Sequence, residues 1–183
     1  MKKTGKLWCI IAILMVIGFA ACGGDTDGAY KIGDTGPGGG IVFHDKGNSS
    51  GGWRYLEVSR VNIGTIPWAS SGFAVIDRPG TGAAIGTGRA NTIIILNADG
   101  NAPAAKACID YRGGGMSDWF LPSRDELNAL YRARSQVGIS TGFFWSSTQR
   151  TPTTAWGRTF ATGNEFDNSK SQPNPVRAVR SFQ

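Results

Sequence analysis

Asp118-Trp119-Phe120-Leu121-Pro122-Ser123-Arg124-Asp125-Glu126-Leu127 opens the clearest helix in the chain, and the rest of the reading works outward from it. The Ser123 hydroxyl caps the first turn, and Glu126, three residues on, completes a capping box by reaching back to the Ser123 amide. Leu127, Leu130 and Tyr131 then share one face at i, i+3 and i+4, while Arg124, Asp125, Asn128 and Arg132 face water. Asp118 and Asp125 read plainly as turn and helix-start acids near a positive dipole end.

Upstream, Pro103 to Tyr111 is helix-like, with alanines at 102, 104, 105 and 107 and a glycine stop at Gly113-Gly114-Gly115. Arg89 to Asn97 is ambiguous. Ile93-Ile94-Ile95-Leu96 favours a strand by propensity, whereas Thr87-Gly88 before it and Asn97-Ala98-Asp99-Gly100 after it suit a helix with a glycine stop. Beyond Gly138 helix character disappears. Phe143–Ser147, Ala155–Phe160 and Val176–Arg180 read as strands, separated by turn-rich segments at Thr148–Thr154 and Thr162–Pro175. Arg177 and Arg180 in the last strand read as pairing residues at a sheet edge.

Near the start, Gly36-Pro37-Gly38-Gly39-Gly40 precedes the strand-like Ile41-Val42-Phe43-His44. A phosphate loop would follow a strand, open a helix and carry a Lys-Ser/Thr pair, none of which holds here, so this is a β-turn. Asn48 to Gly52 is a second turn, and Trp53–Val58 a second strand. Helices mixed with short strands and long turns make an α+β domain.

The chain has 183 residues, 40% hydrophobic and 17% charged, with 27 glycines and three cysteines, which fits one domain with a short appendage. The apolar fraction excludes a disordered chain, and a single cysteine beyond position 22 excludes a disulfide scaffold. Without Lys2, Lys3 and Lys6 at the extreme N-terminus, 16 bases face 13 acids, so the charge falls from +6 to +3 and carries no case for nucleic acid. Those lysines precede an apolar run from Leu7 to Ala21, too short at about 1.5 Å per residue to cross a hydrocarbon core of about 30 Å. It reads as the h-region of a signal peptide over residues 1–21. Phe19-Ala20-Ala21-Cys22 resembles the lipobox of bacterial lipoproteins, which implies that Cys22 carries acyl chains such as palmitate and becomes the mature N-terminus. Ordinary secretory cleavage is the alternative. Residues 22–29 then form a polar tether, and 30–183 the folded domain. Gly23 in place of an aspartate favours an outer-membrane or cell-surface location. Cys108, among alanines, reads as inert packing.

Five pieces carry a family resemblance: Ile32–Pro37 with Ile41-Val42-Phe43; Ala84–Gly88 with Asn91-Thr92; Asp118–Ser123 with Asp125-Glu126-Leu127; Phe144-Trp145-Ser146-Ser147; and Val176–Arg180. Together they resemble the Lcl C-terminal domain family, found at the end of a bacterial collagen-like adhesin and in many secreted lipoproteins, over about residues 30–182. The resemblance implies a C-type-lectin-like fold of the formylglycine-generating-enzyme variant: a twisted antiparallel sheet, two helices and long ordered loops, with Arg89–Leu96 helical. The C-terminal pattern is also similar to the variable proteins of diversity-generating retroelements, which present a hypervariable ligand surface.

Chemistry has little to work with. His44, the sole histidine, reads as a core or edge residue, so no Ser-His pair and no zinc-spaced His/Cys cluster can be assembled. The formylglycine-generating relatives work through a pair of cysteines, and this mature chain has only Cys108 besides the anchor. Asn164-Glu165-Phe166-Asp167-Asn168 has oxygens that suit calcium, but reads more simply as a solvated turn. The expectation is therefore a non-enzyme with no cofactor and no metal. Aromatics, amides, hydroxyls and arginines gather in the C-terminal third, a mixture suited to recognition. The expected ligand-binding residues are Trp145, Gln149, Arg150, Thr151, Thr153, Trp156, Arg158, Asn164, Glu165, Asp167, Asn168 and Lys170. Their expected partner is a protein or glycan of a host or neighbouring cell, sulfated polysaccharide included, with the membrane engaged only through the lipid. An enzyme or accessory of the sulfatase-modifying type is the alternative.

Overall fold

The computed structural model describes residues 28–70 and 80–183. The apolar N-terminal run, Cys22 and the tether as far as Asp27 lie outside the described residues. In chain order the elements are β1 (Ile41–Asp45), β2 (Tyr55–Val58), β3 (Gly64–Ile66), α1 (Gly88–Ala98), α2 (Pro103–Asp110), α3 (Arg124–Arg132), β4 (Phe143–Gln149), β5 (Thr154–Thr159), β6 (Glu165–Ser169), β7 (Asn174–Val176) and β8 (Val179–Phe182). The fold is α+β. All strand pairs are antiparallel, in three sheets ordered β1-β2-β8, β3-β7 and β4-β5-β6. No described helix is long and apolar enough to cross a membrane.

Trp119, Phe120 and Leu121 are consecutive and all buried, because the segment threads between two apolar clusters. Trp119 and Leu121 join Trp68, Trp145, Ile95 and Cys108 on one side. Phe120 joins Phe43, Leu56, Leu127 and Leu130 on the other. The backbone of Phe120 exchanges hydrogen bonds of 2.8 and 2.9 Å with Val179, so the segment extends the β1-β2-β8 sheet past β8. The next residues reach the third sheet, where the Ser147 amide donates to the Pro122 carbonyl at 2.7 Å. Each of the three largest buried indoles finds a backbone acceptor, as a desolvated N–H must. Trp68 donates to Ser146, Trp145 to Ile66 and Trp119 to Gly113, at 2.8, 3.1 and 3.2 Å.

Two buried carboxylates organise the loops. Glu57 on β2 accepts the Gly38 and Gly40 amides and the Arg180 guanidinium, each at 2.9 Å. The glycine-rich turn thus does cradle an anion, but an internal one. Glu126 closes the capping box with Ser123 and also accepts the Gly86 amide at 2.8 Å. A Cβ at Gly88 would stand 2.2 Å from its carboxylate, which is why the Gly86-Thr87-Gly88 loop can close over it.

Several expectations need correction. The described residues hold three helices, one more than the resemblance implied, and α2 is the helix read from the sequence at Pro103 to Tyr111. The Ile93–Leu96 run is helical, as the resemblance implied and in spite of its β propensity, since Asn91 and Thr92 tie α1 to its surroundings. Asn91 bonds Gly82 and Ser147, and Thr92 accepts the Leu121 amide at 3.0 Å. The turn-rich Thr162–Pro175 contains a strand, β6. The last predicted strand is two, β7 and β8, broken at Arg177 and Ala178 where the chain passes from one sheet to another. Its Arg180 does pair, with Glu57 and Asp118, from β8, the end strand of its sheet, which the Trp119–Leu121 segment meets only at Val179.

Candidate functional site

The β4-β5-β6 sheet gathers most of the expected binding residues. Alternation on β5 and its register with β6 put Trp156 opposite Asp167 and Arg158 opposite Glu165 on one face. Trp156 is half-buried, with the guanidiniums of Arg124 and Arg150 over its ring at 4.4 and 5.0 Å. Each cation is matched. Arg150 pairs with Asp167, while Glu165 bridges Arg124 and Arg158, the latter at 2.5 Å. Burial alone would raise the Asp167 carboxyl, but hydrogen bonds from Thr154 and Arg150 outweigh it and hold the group below the usual range. The carboxylates considered for calcium are therefore engaged by arginines, and among the described residues no three His, Cys, Asp or Glu side chains are grouped to hold a metal.

The turns around this face carry Thr151 and Thr153, whose hydroxyls and amides close on one another, with Thr153 exposed. Asn164 is exposed, and Asn168 is half-buried with its amide oxygen on the Ser169 N–H. Gln149 is half-buried and accepts the Lys170 ammonium at 2.6 Å.

Two of the expected contact residues are not on the surface. Trp145 is fully buried in the core, because the β4 side chain opposite Gly157 points inward, toward α1 and the Trp68 cluster. Lys170 is fully buried as well. Its ammonium is covered by Trp68 at 4.6 Å and donates to Pro152, and burial draws it down to about 8. Arg124 is a residue that the sequence reading left in water. It belongs to this face, carried there by the packing of α3 against β4 and β5, for which no local spacing gives a signal. Cys108 is buried, and desolvation raises its thiol far above the ordinary range, so it offers no thiolate.

A second concavity lies on the opposite flank of α3. It is a groove of about 710 Å³ between β1 and the helix, floored by Phe43, Ala129 and Ala133 and lined by His44, Asp125 and Arg132 among others. Burial holds the His44 imidazole below the usual histidine range, against the pull of Asp45.

No curated protein matches the chain. The family model of the Lcl C-terminal domain matches residues 81–180, which takes in α1 to β7 and the start of β8 but leaves the Ile32–Phe43 pieces of the resemblance outside the matched span. Spanning more than half of the sequence and all of the Trp119–Leu127 segment, that match places the chain in the Lcl C-terminal domain family, a family of secreted or cell-surface protein domains.

Proposed function

We propose that this chain is a lipid-anchored lipoprotein of the bacterial cell envelope whose lectin-like domain binds a protein or glycan ligand without bond-making. The site is the Trp156 face of the β4-β5-β6 sheet. The observation that carries the reading is the half-buried indole of Trp156 with two guanidiniums over its ring, paired to Asp167 and Glu165. Such an indole offers contact area at low entropic cost, and the fixed charges around it offer directed hydrogen bonds. Arg124, Arg150 and Arg158 are offset by Asp167 and Glu165, so the face holds little net positive charge. That balance favours a mixed polar protein surface or an uncharged glycan over a sulfated polysaccharide, whose binding rests on excess cations. Diversification by a retroelement suits the exposed Thr153 and Asn164, where substitution disturbs little but solvent.

The test uses Trp156→Ala against a panel of immobilised glycans and extracellular proteins. The expected result is at least tenfold weaker binding, with an unchanged melting temperature and unchanged early elution from a heparin column. Full retention of every ligand by a normally folded Trp156→Ala protein would remove this face from the proposal.

A further inference from the structure

The groove between β1 and α3 is set apart by two unanswered charges. Every other described arginine donates to a carboxylate, amide, hydroxyl or backbone carbonyl. Arg132 has no partner among the described residues. The other described carboxylates likewise accept hydrogen bonds or ion pairs, and Asp125 does not. Both line the same groove, from the same helix. Seven residues at about 1.5 Å each set them roughly 10 Å apart along its axis. Between them Asn128 offers an amide and Ala129 an apolar patch continuous with Phe43, and the rims carry the exposed side chains of Ile32 and Ile85.

We propose that this groove binds a short zwitterionic peptide of about three residues, its ammonium against Asp125, its carboxylate against Arg132 and an apolar side chain on the Phe43–Ala129 floor. Charge complementarity selects this occupant. An extended chain advances roughly 3.3–3.6 Å per residue, so a tripeptide spans the separation between the two charges. The charges of a phosphocholine or phosphoethanolamine group are joined by a single ethylene unit and cannot span two helical turns. A groove of this volume lies within the common range of small-ligand sites, where an apolar lining supplies contact and a few polar groups set orientation.

Calorimetric titration of the full chain in detergent with Ala-Leu-Ala tests the proposal, with N-acetyl-Ala-Leu-Ala-amide as the uncharged control. The free peptide should bind, and the blocked one about tenfold more weakly or not at all. Arg132→Gln and Asp125→Asn should each weaken the free peptide about tenfold, the usual scale for a charge-assisted hydrogen bond, with only the small fall in melting temperature that loss of a favourable charge at a helix end brings. Trp156→Ala should leave it unchanged. Failure of the free peptide to bind overturns the proposal. Equal binding of the blocked peptide, or wild-type affinity in Arg132→Gln, does the same. Arg132-dependent binding of phosphatidylcholine vesicles or Arg132-dependent self-association, with no response to the peptide, would assign the groove to a different occupant and likewise overturn it.

Discussion

Glu57 and Glu126 are fully buried, and each is held by backbone amides that only glycine loops bring close enough. The consequence is a sharp steric rule at single residues. Gly88→Ala puts a methyl group 2.2 Å from the Glu126 carboxylate and 2.9 Å from the Leu121 carbonyl, and should destabilise by about 2–3 kcal/mol, the scale of overpacking. Gly80→Ala, with nothing within 4 Å, is the control and should melt as the wild type does. Lys170 supplies a pH signature. Its folded value of about 8 lies below the ordinary 10.5, so between these the unfolded chain holds more protons and stability rises with pH. The melting temperature of wild type minus that of Lys170→Met should therefore increase from pH 8 to 10.5, and a flat difference would show an ammonium that is not desolvated.

Among the elements, α3 was the most legible. Both halves of its capping box are present, with the Glu126 amide on the Ser123 hydroxyl at 3.2 Å and the Ser123 amide on the Glu126 carboxylate at 2.7 Å. Ser123→Ala should cost about 1–2 kcal/mol, read as a fall of roughly 3–8 °C in melting temperature. An unchanged melt would mean that the cap holds nothing the rest of the helix does not. The strands were less legible. β6 hides in a polar run because its Glu165, Asp167 and Asn168 pair with arginines and backbone rather than with a core, and hydrophobic alternation is the signal a strand usually gives. β7 and β8 look continuous in sequence, and only their different partners, β3 and β2, separate them.

At the scale of the whole molecule, the Trp119–Pro122 segment joins the first sheet at Val179 to the third at Ser147, and small hydroxyls fix the third sheet itself. Within the third sheet the Ser146 hydroxyl donates to the Trp156 carbonyl at 2.8 Å, and Ser147 accepts from Asn91 at 3.0 Å, which ties that sheet to α1. The distinctive Trp-Ser-Ser and Trp-Phe-Leu-Pro-Ser motifs are thus architecture, and most of the side chains available for contact on the Trp156 face follow them in the chain. Under the proposed anchoring, Cys22→Ala should shift the protein from the membrane to the soluble fraction. Continued sedimentation with membranes after that substitution would reject lipidation.

Helix starts, turns, the apolar N-terminal run and family membership are written in short-range spacing, because capping, glycine conformation and apolar periodicity act within a few residues. Which polar side chains meet the outside is another matter. Trp145 and Trp156 are indistinguishable as residues, yet β5 turns one indole outward and β4 turns the other into the core. Arg124 reaches Trp156, and Arg132 lines its groove with no partner among the described residues, because α3 packs between the β1 and β5 flanks. Burial and charge pairing are sums over neighbours distant along the chain, and packing alone chose those neighbours.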